Sequence, residues 1–106
     1  MDYINRVELA GTVGACRLTQ AGGQTVARMS VATTIVYRDS AGEQVLETTW
    51  HSVVAWQKPG MADLEKISKG SCLHITGRLR CSRYTRSDGG EALAYEVVAD
   101  TLREVR

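Results

Sequence analysis

The chain contains no phenylalanine, a single proline, only three cysteines and only 6% aromatic residues in 106 positions. Each scarcity excludes something. With one proline and ten glycines, the composition is neither collagenous nor that of a low-complexity linker. Cys16, Cys72 and Cys81 are odd in number and include no Cys-x-x-Cys pair, too sparse for a zinc site or a disulfide framework, so free thiols are expected. No apolar run approaches the roughly 18 residues of a membrane-spanning helix. The first twenty residues carry Asp2, Arg6, Glu8 and Arg17 and lack the apolar stretch of a secretory signal, from which a cytoplasmic protein is expected.

What is present reads as one globular domain spanning residues 1–106, with 43% hydrophobic and 24% charged residues. Thirteen basic against twelve acidic residues leave a formal charge of +1, which by itself points to no partner. The distribution is more informative. Between Lys66 and Ser87 lie Lys66, Lys69, Arg78, Arg80, Arg83 and Arg86 with no acidic residue among them, a local field of the kind that attracts a phosphate backbone.

Alternating apolar and polar residues predict strands over Ile4–Val13, Val26–Tyr37, Val45–Trp56, Cys72–Tyr84 and Glu91–Leu102. Gly11 suggests a bulge in the first of them. Turns are expected at Thr19–Gln24, which holds Gly22-Gly23, at Asp39–Glu43, and at Arg86–Gly90. Lys58-Pro59-Gly60 ends the third strand. Met61, Leu64 and Ile67 then predict one short helix over Met61–Ser68, closed by Lys69-Gly70. Five strands with a helix between the third and fourth describe an all-β Greek-key barrel, although an open antiparallel sandwich would give a similar string.

Within these strands the alternation separates two faces. Met29, Val31, Thr33 and Ile35 are expected to face the core, as are Leu73, Ile75 and Leu79. On the fourth strand the other face carries Arg78, Arg80 and Tyr84, and Arg83 and Arg86 follow nearby. Guanidinium groups bind phosphate through charge-assisted hydrogen bonds and stack on bases; a solvated strand surface is the bland alternative. Trp50 and Trp56 share a face six residues apart, about 20 Å, too far to stack on each other but suited to separate platforms under a flexible strand. Two core tryptophans are the alternative. Tyr37 beside Arg38 is equally compatible with packing and stacking, and Tyr95 is read as packing. His51 shares a face with Val53 and is read as buried or at an interface. Neither His51 nor His74 belongs to a metal or nucleophile signature, and Ala10-Gly11-Thr12-Val13-Gly14 lacks the helix and lysine of a phosphate-binding loop.

Several segments taken in order resemble the DNA-binding domain of the bacterial single-stranded DNA-binding protein family. They are Asn5–Gly14, Val26–Asp39, Thr49-Trp50-His51-Ser52-Val53-Val54-Ala55-Trp56, Lys69-Gly70-Ser71 and Ile75-Thr76-Gly77-Arg78-Leu79-Arg80. The resemblance implies an oligonucleotide-binding (OB-fold) barrel and a homotetramer that covers single-stranded DNA in replication, recombination or repair at the nucleoid. It places base stacking at Tyr37, Trp50, Trp56 and Tyr84, with tyrosine where familiar members have tryptophan at the first and last, and a subunit contact at His51. Phosphate contacts are assigned to Arg78, Arg80, Arg83 and Arg86, and no cofactor, metal or catalytic group is expected. Familiar members continue into a flexible linker and acidic tip, whereas this sequence stops at Arg103-Glu104-Val105-Arg106, so C-terminal recruitment of replication enzymes is not expected from it. Rival readings are an RNA-binding barrel, a dimeric primosomal relative, a protein-docking barrel and a small hydrolase using a histidine.

Overall fold

A computed structural model of the chain describes residues 1–105; Arg106, counted above in the expectation for the C-terminal end, lies outside them. Five strands form: β1 (Val7–Ala21), β2 (Gln24–Arg38), β3 (Gln44–Trp56), β4 (Cys72–Thr85) and β5 (Glu91–Glu104). They close into a barrel in the order β1-β2-β3-β5-β4, with β4 returning to β1. All neighbours are antiparallel except β3 and β5, which run parallel and pair at Val53↔Val97 and Val54↔Val98. The sandwich alternative is thereby excluded.

The interior is filled by alternate residues of every strand, as a small barrel requires. Leu9, Val13, Met29, Val31, Val53, Leu73, Ile75, Val97 and Leu102 pack there with Leu64 and Ile67. Val26, Val54 and Val98 form a second, smaller buried cluster where β2, β3 and β5 lie side by side. No helix among the described residues is long and apolar enough to cross a membrane.

β1 differs most from its expectation. It starts at Val7 rather than Ile4 and continues to Ala21, because its two halves pair with different partners: Val7–Thr12 with β4, Thr12–Ala21 with β2. The register shift falls between Val13 and Ala15, at Gly14 and not at Gly11. Gly11 serves another purpose. A side chain there would strike the carbonyl oxygen of Ala32, and one at Gly77 would strike that of Val98, so both glycines permit the close backbone approach of a tightly wound barrel. A second shift, between Thr76 and Gly77, skips Asp100 on β5.

The expected helix over Met61–Ser68 is reduced to one 3₁₀ turn, Leu64–Lys66. Eight residues are too few to stabilise an α-helix by themselves, and the three-residue spacing of Met61, Leu64 and Ile67 matches the threefold period of a 3₁₀ turn. Asp63 caps it by accepting from the Glu65 amide at 3.0 Å. Gln57 anchors the segment, accepting the Leu64 N–H at 2.9 Å and donating to the Ala62 carbonyl at 3.1 Å. Leu64 is thereby held fully buried against the barrel core.

Two hairpins run past the barrel body. The Cα radius of gyration is 16.0 Å, against about 13 Å for a compact chain of this length. Ile35 and Leu79, expected in the core, are therefore exposed: they keep the inward side of their strands but lie where nothing packs across from them. Tyr95 and Leu93 on β5 are exposed for the same reason, which corrects the packing role read for Tyr95. Leu64→Ala is expected to destabilise the fold by about 2–5 kcal/mol, whereas the exposed neighbour Lys66→Ala should stay within about 0.5 kcal/mol; urea denaturation of the two variants measures the difference.

Candidate nucleic-acid interface

The outward face of β1, β2 and β3 is built by strand parity. Directly opposed pairs share a face, so the pairs Val26↔Trp56, Arg28↔Val54, Ser30↔Ser52 and Ala32↔Trp50 set both tryptophans on one surface. The small residues Ser30, Ser52 and Ala32 keep the surface between and beside the rings low. Trp50 is 60% exposed and Trp56 37%, so neither belongs to the core. Trp50 lies across β1 at Gly14, where a β-carbon would collide with its ring. The glycine at the bulge thus makes room for the indole.

Tyr37 and Tyr84 are exposed as well, but the structure distributes them differently. Tyr84 stands opposite Ala92 on the β4–β5 hairpin and shares its face with Arg78 and Arg80. Tyr37 stands opposite Val45 near the tip of the β2–β3 hairpin, on the ribbon face away from Trp50. The fold brings Trp50 and Trp56 together on one surface, carries Tyr84 on an adjacent arm, and leaves Tyr37 on the reverse side of its ribbon.

The arginines are likewise divided. Arg78 has no ion-pair partner among the described residues, while Arg83 lies 3.8 Å from Glu91 and Arg86 3.5 Å from Asp88. These exposed pairs contribute little and exchange readily for other anions. Arg83 projects from the opposite face of the hairpin to Arg80 and Tyr84, and Arg86 lies at its turn. Arg80 is held more firmly: its Nε donates to Glu96 at 3.1 Å and its Nη2 donates to the same carboxylate oxygen.

Arg28 on β2 also donates to Glu96, at 3.2 Å; alternation puts it on the side of β2 away from the core-facing Met29 and Val31. A usable signal existed. Residues 17 and 28 are equidistant from the two-residue turn Gly22-Gly23, whose positive φ values of 59° and 78° suit a tight hairpin, so Arg17 and Arg28 had to face each other, as they do. The same reasoning about the Arg86–Gly90 turn sets Glu96 opposite Arg80, but its contact with Arg28 could not have been found this way, because β2 and β5 are brought near each other only by barrel closure.

His51 faces the barrel side of β3 beside Val53, half-buried, with Nε2 2.8 Å from the Thr33 hydroxyl. His74 acquires a carboxylate neighbour that spacing did not suggest, Glu8 on the adjacent strand at 2.8 Å. All three cysteines are free thiols, and burial raises the pKa of Cys16 above its ordinary value. Among the described residues no group of histidine, cysteine and carboxylate side chains is arranged to hold a metal ion.

A closed five-stranded barrel with exposed rings on its β2–β3 face and projecting hairpins defines an oligonucleotide-binding fold. Comparison with known proteins narrows the class: residues 4–105 match the model of the single-strand binding protein family, and the chain belongs to that family. It is 37% identical over 103 residues to the single-stranded DNA-binding protein of Xanthomonas campestris pathovar campestris, covering 94% of this chain and 59% of that protein. The corresponding protein of Xylella fastidiosa is 38% identical, with 94% and 62% covered. The chain thus spans about three fifths of the length of these relatives. Among solved structures, the single-stranded DNA complex of the Plasmodium falciparum protein superposes with a TM-score of 0.85 at 24% identity, covering 100% of this chain and 98% of that one. A deletion mutant of the Thermus aquaticus single-stranded DNA binding protein gives 0.77 at 18% identity, covering 97% and 51%.

The seating of Trp50 over Gly14 has a measurable consequence. Gly14→Ala should displace the indole and shift its emission, at a stability cost of about 1–3 kcal/mol from overpacking. Fluorescence spectra and melting curves of the variant in a Trp56→Tyr background check both effects.

Proposed function

We propose that this chain binds single-stranded DNA with little regard to base sequence and without catalysis, serving replication, recombination or repair at the nucleoid. The observation that carries the reading is the pair of exposed tryptophans on one face of an oligonucleotide-binding barrel, in a chain of the single-strand binding protein family. Bases of a flexible strand stack on Trp50 and Trp56, and then on Tyr84 and Tyr37 as the strand follows the hairpins. Every base has a π-face, so such stacking is tolerant of sequence. Phosphates meet Arg78 directly, and Arg80, Arg83 and Arg86 through guanidinium groups now turned to nearby carboxylates.

One barrel of this kind covers only about 4–16 nucleotides. A homotetramer joined through contacts that include His51 supplies the remaining surface, since a second contact on the same strand becomes intramolecular. Nearly neutral overall, the chain attracts DNA through its local basic surface rather than its net charge.

Titration of intrinsic tryptophan fluorescence with oligothymidine at several salt concentrations tests the reading. Quenching is expected, with each neutralised phosphate adding about 0.7 to the log–log salt slope; absence of both quenching and binding would refute the reading. Trp50→Ala should cost about 1–3 kcal/mol of binding with the slope nearly kept, whereas Arg78→Ala should lower the slope by about 0.7. Matched RNA competitors measure the preference for DNA, and sedimentation equilibrium should give four times the 11.6 kDa monomer mass.

A further inference from the structure

A groove of about 560 Å³ opens between the β1–β2–β3 face and the β5 strand, lined among others by Arg17, Arg28, Ser30, Ser52, Tyr95 and Glu96. Arg28 lies within the tryptophan row, because Val26 opposite Trp56 and Ala32 opposite Trp50 flank it on the same face of β2. Arg17 stands directly across from it on β1. Two like charges so opposed repel, and Arg80 brings a third guanidinium from β4. A single carboxylate holds two of the three. Glu96 Oε2 accepts from Arg28 Nη1 at 3.2 Å, while Oε1 accepts from Arg80 Nε at 3.1 Å and from Arg80 Nη2.

Burial decides how this cluster works. The Glu96 side chain is only 15% exposed, whereas those of Arg28 and Arg80 are 60% and 43% exposed. The carboxylate therefore lies beneath the guanidiniums and not in front of them. An incoming phosphate that pulled both arginines away would leave a half-buried, unpaired carboxylate, which is costly. Arg28 spends one of its five N–H donors on Glu96, and the others remain to accept an anion from the solvent side.

Resting on the reading of the barrel as a single-stranded DNA binder, we infer that Arg28 is a phosphate contact between the two stacking tryptophans and that Glu96 is its positioning residue. Glu96 locks Arg28 of β2 and Arg80 of β4 into one preformed clamp across strands that are not neighbours in the barrel. Fixing long side chains in advance removes an ordering cost that would otherwise be met on binding. An acidic residue in the groove thereby strengthens binding to a polyanion.

The test measures the anisotropy of labelled oligothymidine against the full chain and its variants over a salt series, with melting curves for each. Glu96→Gln removes a negative charge, so electrostatic attraction alone predicts tighter binding; the clamp predicts binding about three- to tenfold weaker. Arg28→Ala should weaken binding and lower the salt slope by about 0.7. The double variant should fall short of the product of the two single effects, since both act on one contact. Glu91→Gln, which alters only an exposed pair, should bind as well as the original chain or better. If Glu96→Gln does not stay folded, Arg28→Lys decides: it keeps the charge but loses the fork, and must weaken binding with the slope preserved. Unchanged or tighter binding by a folded Glu96→Gln overturns the positioning role, and an unchanged slope in Arg28→Ala overturns the contact. Binding by the original chain that neither variant alters overturns the clamp but upholds the proposed function, whereas no binding by the original chain removes both.

Discussion

The change of partner along β1 is the feature on which the rest of the structure depends. Its first half is bound to β4 and its second half to β2, with the shift of register at Gly14 just inside the second half. A straight strand could not belong to both sides of so narrow a barrel, and the bulge supplies the bend and extra twist that closure needs. The residue at the bulge has no side chain, and the ring of Trp50 occupies that space. Barrel closure and the seating of an exposed aromatic platform thus draw on the same local geometry.

Closure also explains the division between core and surface. The barrel body needs only part of each long strand, so Val31 and Ile75 are fully buried while Ile35 and Leu79, farther along the same sides of the same strands, are exposed. The excess length becomes two hairpins, and one of them carries Arg80, Arg83, Tyr84 and Arg86. Their backbone hydrogen bonds are satisfied within the ribbons, which lets them extend without a core of their own. The same winding brings β5 beside β3, pairing Val53 with Val97 and Val54 with Val98, and this contact places Glu96 near the tryptophan face.

Electrostatically, the molecule combines near neutrality with a concentrated groove. Exposed ion pairs such as Arg83 with Glu91 are weak and screened by salt, so they hold arginines near the surface without removing them from use. The pairing around Glu96 differs because its carboxylate is largely covered and shared between two guanidiniums. In the proposed binding mode, stacking would supply attraction that salt does not screen, and phosphate contacts attraction that it does. Their proportion would set how such binding responds to ionic strength.

Strand identity, turn positions and the pairing of Trp50 with Trp56 on one face were legible in the sequence because they follow from period-two alternation and from glycine in tight turns, both local properties. The resemblance in the segments from Asn5 to Arg80 identified the fold, and the arginine-rich stretch was plain from charge alone. Other features required the folded chain. The length of β1 was hidden because an exposed half-strand such as Arg17–Ala21 has no apolar alternation to announce it, and the 3₁₀ turn was hidden because Met61, Leu64 and Ile67 are apolar in a helix of either kind. The exposure of Ile35 and Leu79 depends on where the opposite wall of the barrel ends. The union of Arg28, Arg80 and Glu96 joins residues from strands β2, β4 and β5, 68 positions apart at the widest. Alternation determines which side of a strand a residue occupies, but only closure of the barrel determines which residues of distant strands meet there.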